Sequence, residues 1–259
     1  SSDLVAVGYA QALSFGTGDW EGEDTDEGGS YAVAVRYDDA GGIVWKSKLG
    51  GNESDYYYSV TAVEDGFAAV GYSTALGEGD WSDGDARGGT DAFITRFDSA
   101  GEVLWNSYLG GSGNDFFRGV AALEDGIIAV GYSAFSSFGS GDWEGFEGKG
   151  FLDATVVKYS HSGEVVWKTN FGGTGADYFR SVSAGQDWFV AVGYSNISVF
   201  GDGDWTDIDG KGGLDATMVK FSGDAGSEGG LDIPPYMVAV VFLIVLCAAV
   251  IVSIRKRSK

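Results

Sequence analysis

Residues 58–111 decide the fold and read YSVTAVEDGFAAVGYSTALGEGDWSDGDARGGTDAFITRFDSAGEVLWNSYLGG. Four runs in this stretch are rich in β-branched and aromatic residues: 58–63, 67–72, 91–97 and 102–109. Glycine-containing turns follow the first and third runs, and a long polar loop, 73–90, follows the second. Short runs of this kind between turn residues are typical of strands. The stretch therefore predicts four consecutive antiparallel strands.

The same plan recurs along the chain. Val-Gly-Tyr stands at 7–9, 70–72, 130–132 and 192–194, and Gly-Asp-Trp at 18–20, 79–81, 141–143 and 203–205. The last strand of a unit carries a tryptophan, and a Gly-Gly pair then leads to an aspartate that an aromatic residue follows. These positions are Trp45, Trp105 and Trp167, and Asp55, Asp115 and Asp177. A fixed period of about 61 residues indicates stacked copies of one unit.

Four antiparallel strands per unit is the blade plan of a β-propeller. A blade has two apolar faces and must stack between neighbours to bury them. We therefore predict an all-β, β-propeller-like array of four-stranded blades over residues 1–222. The sequence supplies about three and a half repeats, fewer than the 4 to 8 blades of most closed propellers. This favours a truncated chain or a curved, partly open array over a closed ring.

The composition and net charge indicate which classes of binding partner the chain favours. Glycine accounts for 44 of 259 residues, aromatic residues for 14 %, and the formal net charge is −22. Such a surface repels nucleic acid and attracts cations and basic partners. The only cysteine, Cys247, lies in an apolar run, so no disulfide forms within one chain. A folded domain that does not bind nucleic acid is expected.

The C-terminal sequence predicts a membrane anchor. Residues 237–254 carry no charge, and as a helix they extend about 27 Å, close to the thickness of a bilayer core. With Tyr236 at the interface, we predict a single transmembrane helix over 236–254 and a basic cytoplasmic tail over 255–259. Residues 223–235 are predicted to form a flexible Gly/Ser/Asp linker, and residues 1–222 are expected to lie outside the cell. The chain does not begin with Met, which fits either a processed end or a truncation.

A resemblance to a known family supports this architecture. Three parts of the sequence resemble the bacterial and archaeal SBBP-type β-propeller repeats. They are the stretch from Asn106 to Asp115, the Val-Gly-Tyr strand, and Asp91-Ala92-Phe93 with the basic-aromatic pair at 96–97. The resemblance covers nearly all of residues 4–222. It implies a secreted or surface-anchored protein that works as a binding or adhesive module. It implies no catalytic residues.

The long loops between the second and third strands of the units carry many acidic residues. Because each loop joins equivalent strands, stacking places all of them at one side of the array. Several carboxylates on a Gly-rich loop suit Ca²⁺. The candidate Ca²⁺ ligands are Asp80, Asp83, Asp85, Asp202, Asp204, Asp207 and Asp209. The alternative is a solvated loop whose aspartates make local turn hydrogen bonds.

The tryptophans of the same loops suggest a second type of site. Exposed indole rings beside polar acceptors stack on sugars, which makes a glycan ligand a candidate. The predicted ligand-binding residues are Trp20, Trp81, Trp143 and Trp205. The alternative is that each ring fills the seam between two blades, where it buries a large apolar area. The tryptophans at 45, 105 and 167 are expected to be structural.

Enzymatic chemistry is not expected from the sequence. His161 is the only histidine and lies in a turn between strands, so a Ser or Cys triad lacks its usual base. We predict a cell-surface, membrane-anchored module that binds a glycan or a surface protein without catalysis and needs no cofactor other than an optional Ca²⁺. The alternatives are a structural cell-envelope component that binds cations and, more distantly, a propeller enzyme such as a glycosidase or quinoprotein.

Overall fold

Each repeat forms an antiparallel sheet whose strands follow one another in sequence. The computed structural model describes residues 4–22, 29–196 and 200–223, and all regular structure there is strand apart from short 3-10 turns. Sheet 1 contains β1 (Leu4–Gln11), β2 (Ser30–Tyr37) and β3 (Ile43–Leu49). Sheet 2 contains β4 (Asp55–Val63), β5 (Gly66–Ser73), β6 (Asp91–Asp98) and β7 (Val103–Leu109).

The remaining sheets repeat this order. Sheet 3 contains β8 (Asp115–Leu123), β9 (Gly126–Ala134), β10 (Leu152–Tyr159) and β11 (Val165–Phe171). Sheet 4 contains β12 (Asp177–Ala184), β13 (Trp188–Asn196) and β14 (Leu214–Ser222). The 3-10 turns are Ala12–Ser14, Gly18–Trp20, Gly79–Trp81, Phe135–Ser137, Gly141–Trp143 and Gly203–Trp205. The prediction of an all-β chain with repeated antiparallel sheets is confirmed, and these sheets are consistent with a propeller-like arrangement.

The apolar core consists of three seams, one between each pair of consecutive sheets. In the central strand β5, Phe67 and Ala69 face sheet 1, whereas Ala68 and Val70 face sheet 3, and all four are buried. This explains why the second strand of a unit is an apolar run and not an alternating one. Across the seams, β4 packs against β8 and β8 against β12, so the first strands of the units form the inner edge of the stack.

Sheets 1 and 4 are the ends of the described stack. β1 and β14 alternate between covered and exposed residues, whereas β6, β9 and β10 are buried nearly throughout. Leu4 is 62 % exposed, although its counterpart Phe67 in sheet 2 is 4 % exposed. One face of each end sheet is therefore uncovered within the described part of the chain.

The predicted membrane anchor is not part of this description. Apart from residue 223, the predicted linker (223–235), the predicted helix (236–254) and the predicted tail (255–259) lie outside the described residues. Within the residues that the structure describes, no helix is long and apolar enough to cross a membrane.

Candidate functional site

The Gly-Asp-Trp motifs hold the connection that runs from one sheet to the next. In sheet 3, Asp142 accepts a hydrogen bond from the Gly110 amide at 3.0 Å, and its own amide donates to the Gly110 carbonyl at 2.8 Å. Asp80 with Gly50 and Asp204 with Gly172 repeat this reciprocal pair. We call this arrangement the Gly-Asp-Trp clasp. Through it, the loop in each of sheets 2, 3 and 4 is fixed to the chain that enters that sheet.

The tryptophan of each clasp is buried against a carboxylate of the inner strand. Trp143 is 0 % exposed, and its Nε1 donates to Asp115 Oδ1 at 2.9 Å. Trp81 with Asp55 and Trp205 with Asp177 repeat the bond at 2.7 and 2.8 Å. The three rings pack in the three seams. Since buried polar groups need partners, tryptophan and aspartate form one structural unit here.

Burial changes the acid chemistry of these aspartates. It raises the pKa of Asp115 above its ordinary value, while hydrogen bonds from the Gly111 amide, Ser137 and Trp143 oppose that rise. The pKa values of Asp55 and Asp177 are raised for the same reason. The hydrogen-bond donors thus compensate only part of the cost of burying the carboxylate.

These contacts correct the prediction that the clasp tryptophans are glycan platforms. Trp81, Trp143 and Trp205 are at most 1 % exposed, so their ring faces are not accessible to a sugar. The alternative, that each ring fills a seam, describes these three residues. Trp20 in sheet 1 differs because it is only partly buried and packs edge-on against Phe15, with Lys46 over its ring at 5.2 Å.

The predicted Ca²⁺ ligands do not converge. Asp80 and Asp204 belong to clasps, Asp83 accepts from the Tyr108 hydroxyl at 2.6 Å, and Asp202 accepts from the Thr174 amide and hydroxyl. Asp85, Asp207 and Asp209 lie in the exposed parts of the loops. In the described residues, no three His, Cys, Asp or Glu side chains are grouped so that they could hold a metal ion. Binding of Ca²⁺ by these loops stays a prediction.

The inner strands carry a feature that the sequence analysis missed. Each has a β-bulge, and the extra residue is Tyr58 in β4, Arg118 in β8 and Arg180 in β12. Bulges redirect side chains and are frequent beside functional sites. Here each bulge brings the extra residue close to the aromatic ring two positions earlier, such as Phe116 beside Arg118 at 5.3 Å.

The bulge also explains the glycine of the Val-Gly-Tyr motif. A Cβ atom at Gly131 would lie 1.7 Å from the Phe116 carbonyl oxygen. The equivalent distances are 1.6 Å at Gly71 and 1.7 Å at Gly193. No side chain fits at such distances, so the inner strand approaches the second strand this closely only where the latter has glycine.

Aromatic rings line the inner edge across all four sheets. Ring centroids are 4.6–4.9 Å apart within sheets 2 to 4 and across each seam. We call this set the aromatic–arginine ladder. It comprises Tyr9, Tyr56, Tyr58, Tyr72, Phe116, Arg118, Tyr132, Tyr178, Arg180 and Tyr194.

The two arginines stack on the ladder. The Arg118 guanidinium lies 4.0 Å from the centroid of Tyr58 and donates to the Tyr132 hydroxyl at 3.0 Å. Arg180 donates to the Tyr194 hydroxyl at 2.6 Å. The Arg118 Nε atom is buried and has no acceptor among the described residues. Stacking and these bonds hold both cations in fixed orientations.

The ladder is an open surface at several points. Tyr9 is 54 % and Tyr58 42 % exposed, and most other members are partly exposed. Burial and neighbouring tyrosines raise the pKa of Tyr72, so its hydroxyl stays protonated at neutral pH. The ladder thus offers flat apolar rings, phenol donors and two cations to a ligand. The sequence signals for it were the aromatic residue after each inner-strand aspartate and the tyrosine of Val-Gly-Tyr.

Comparisons with known proteins give limited relationships. No family model matches the chain. It is 25 % identical over 221 residues to the regulatory protein FlaEY of Caulobacter vibrioides, an alignment that covers 79 % of this chain and 23 % of the relative. The chain thus spans about a quarter of the length of that relative.

Similar solved structures include two variants of the Synechocystis apocarotenoid oxygenase. Their TM-scores are 0.34 and 0.36 at 11 % and 12 % identity, and they cover 74 % of this chain and 44 % and 43 % of theirs. Both are enzymes, so the comparison contradicts the expectation that the chain has no enzymatic activity, and that expectation is withdrawn. TM-scores of this size transfer neither an activity nor a substrate to this chain.

Proposed function

We propose that the chain is a ligand-binding module of the SBBP-type repeat class and that the aromatic–arginine ladder is its binding surface. The continuous ladder along the inner edge carries this proposal. Its ligand is an extended molecule with flat apolar faces and carboxylates, and an acidic polysaccharide has this chemistry. The glycan class proposed from the sequence is kept, but its site moves from the loop tryptophans to the inner edge.

The placement of the rings supports this assignment. The three seams have their own aromatic cores, built from other residues such as Phe93, Phe117 and Phe179. Most ladder residues remain at least partly exposed, although Tyr132 is buried. Exposed contiguous aromatic surface is a common mark of a binding site.

The charges support an anionic ligand. In a chain of net charge −22, Arg118 and Arg180 stack on the ladder and form no ion pair with a carboxylate of the described residues. A guanidinium binds a carboxylate through two parallel hydrogen bonds, and those bonds are stronger than neutral ones. Stacking against tyrosine covers only the face of each guanidinium, so the N–H groups that do not bind the Tyr132 and Tyr194 hydroxyls remain for such a bond.

The location of the module is part of the same proposal. With the anchor predicted for 236–254 and the basic tail after it, the repeats lie outside the cell on a single-pass membrane protein. A short linker then holds the binding surface close to the membrane. Adhesion to an acidic polysaccharide at the cell surface follows from this placement.

Titration calorimetry with two matched polymers tests the proposal. We expect polygalacturonate to bind and its methyl ester to bind at least tenfold more weakly, because esterification removes the carboxylates. Arg118→Gln and Arg180→Gln should each weaken binding of polygalacturonate about tenfold. Arg87→Gln is the control, because Arg87 pairs with Asp142 on the loop side and lies outside the ladder.

Two results would overturn the proposal. One is the absence of saturable binding by either polymer. The other is equal affinity of the Arg118, Arg180 and Arg87 variants for polygalacturonate. Circular dichroism of each variant establishes that the sheets remain folded. Tyr58→Ser provides an independent probe of the ladder, since Tyr58 is 42 % exposed and its loss costs little packing.

A further inference from the structure

One continuous segment completes each internal seam. It runs from the tryptophan of an outer strand through Gly-Gly to the inner strand of the next sheet. The tryptophan and the inner-strand aspartate are ten residues apart each time: Trp45 and Asp55, Trp105 and Asp115, Trp167 and Asp177. We call this the entering segment. It packs its tryptophan on the next sheet, is held by the clasp, and then pairs with the second strand.

The tryptophan of the entering segment occupies a defined depression. Trp45 stacks on Phe67 at 5.5 Å, and its Nε1 donates to the Ser99 carbonyl at 3.4 Å. A Cβ atom at Gly101 would lie 2.9 Å from the Trp45 ring. In the next seam, Trp105 donates to the His161 carbonyl at 3.0 Å. In these two seams the depression has a glycine in its turn and a carbonyl as acceptor, whereas in the third seam the buried Trp167 Nε1 has no acceptor among the described residues.

Three glycines per unit mark where the entering segment passes. In sheet 2 these are Gly71, Gly79 and Gly101, whose Cβ atoms would lie 1.6 Å from the Tyr56 oxygen, 2.4 Å from the Gly50 oxygen and 2.9 Å from Trp45. Sheet 3 repeats the three contacts at 1.7, 2.5 and 2.8 Å. Each of these glycines therefore lies against a neighbouring chain segment that leaves no room for a side chain.

Sheet 1 has the same three glycines but no such neighbour among the described residues. A Cβ atom at Gly8, Gly18 or Gly41 would meet nothing within 4 Å. β1 pairs with β2 only, so its other edge is unpaired in the described sheet. An open depression corresponds to the site of the packed tryptophan and is lined by Leu4, Tyr37, Asp38, Asp39 and Gly41.

In sheet 1, only the Gly-Asp-Trp half of the clasp is present among the described residues. Asp19 and Trp20 occupy the positions of Asp80 and Trp81, but the described part of sheet 1 contains neither the Gly-Gly turn nor the inner-strand aspartate. Trp20 is correspondingly only partly buried, whereas its three counterparts are at most 1 % exposed. The edge of β1, the clasp and the depression lie in the order in which an entering segment would meet them.

We propose that sheet 1 is a docking site for an entering segment of the repeat's own type, with the edge of β1 that is free in the described sheet as the edge to which its strand adds. The segment carries a tryptophan, a Gly-Gly pair, and an aspartate ten residues after the tryptophan followed by two aromatic residues. Its tryptophan enters the depression, its glycine pairs with Asp19, its aspartate accepts from Trp20, and its strand pairs with β1. Addition of a strand to a sheet edge is an established mode of peptide recognition, and the three internal seams supply its geometry.

A synthetic peptide tests this directly. Residues 101–123, GEVLWNSYLGGSGNDFFRGVAAL, contain a complete entering segment. With the peptide labelled at its N-terminus, fluorescence anisotropy against the purified 259-residue chain should show saturable binding. Replacing the peptide tryptophan by alanine, or its aspartate by asparagine, should each weaken binding at least tenfold.

A matched pair of protein variants locates the peptide. Gly8→Ala has open space in the protein itself, so it should fold normally. In the complex its Cβ atom would meet the incoming carbonyl, as the 1.6–1.7 Å distances in the other sheets show, so binding should fall at least tenfold. Gly213→Ala, which also meets nothing within 4 Å and lies before β14, should bind like the unmodified chain.

Two outcomes would overturn the proposal. The first is no binding of the peptide. The second is binding that Gly8→Ala leaves unchanged, which would indicate that the peptide replaces an internal strand or binds elsewhere. This test does not involve Arg118 or Arg180 of the protein, so its result is independent of the polysaccharide proposal.

Discussion

Replacement of Trp143 by phenylalanine tests the link between the clasp and the inner strand. The change removes the indole N–H that Asp115 accepts at 2.9 Å but keeps most of the apolar ring. A hydrogen bond to a charged group contributes about 1.5–3 kcal/mol, and the small cavity costs about 1 kcal/mol more. We expect Trp143→Phe to lower the free energy of unfolding by about 3 kcal/mol.

Trp20→Phe is the matched control. The motif is the same, but the described part of sheet 1 supplies no inner-strand aspartate to the Trp20 indole, and this ring is only partly buried. We expect a loss below about 1 kcal/mol there. Urea unfolding followed by far-UV circular dichroism at pH 7 compares the two, with amide exchange in β8 and β9 as a local measure, because repeat arrays open unit by unit.

A double-mutant cycle isolates the hydrogen bond. Asp115→Asn, Trp143→Phe and the combined variant should give a coupling energy of at least about 1 kcal/mol, since both changes remove the same contact. Equal losses for Trp143→Phe and Trp20→Phe, or strict additivity in the cycle, would refute the reasoning. The buried tryptophans would then stabilise the seams through apolar area alone.

Two further predictions concern the glycines and the pH. Gly131→Ala should prevent folding or lower the thermal midpoint by more than 10 °C, because its Cβ atom would lie 1.7 Å from a carbonyl oxygen. Gly8→Ala should leave the midpoint unchanged in thermal melts. Equal midpoints for the two variants would contradict the explanation of the Val-Gly-Tyr glycine by the bulge. Burial raises the folded-state pKa of Asp55, Asp115 and Asp177 above the ordinary value of 3.8, so above that value the folded state binds more protons than the unfolded state. The free energy of unfolding should therefore fall as pH rises from about 4, and a urea midpoint that increases between pH 4 and 7 would contradict this.

The strands were largely predictable because their signals are local. The predicted runs 67–72 and 91–97 fall within β5 and β6, which extend one residue further at one or both ends. The first strand of the unit was predicted from residue 58, whereas β4 begins at Asp55. Its first residues were missed because an aspartate and a bulge do not produce the alternation by which a strand is recognised.

The site was less predictable because its partners are distant in sequence. Both halves of the Asp–Trp pair stood out as repeated positions, yet 28 residues separate Asp115 from Trp143, and only the folded sheet brings them together. The exposed location assigned to Trp81, Trp143 and Trp205 was wrong for the same reason. The ladder escaped notice because its members alternate between two strands and cross the seams, so no single stretch of sequence displays it.

The glycine contacts have a consequence for tracing related chains. Because a carbonyl oxygen or an indole ring stands where a Cβ atom would be, these positions have no room for a side chain, whereas outer-strand positions such as Val44, Leu104 and Val166 face solvent and have room for other side chains. Val-Gly-Tyr, then Gly-Asp-Trp, then a tryptophan with aspartate ten residues later, constitutes a sparse fingerprint. Searching with those few fixed positions should recover distant members of this architecture even where overall sequence identity is low.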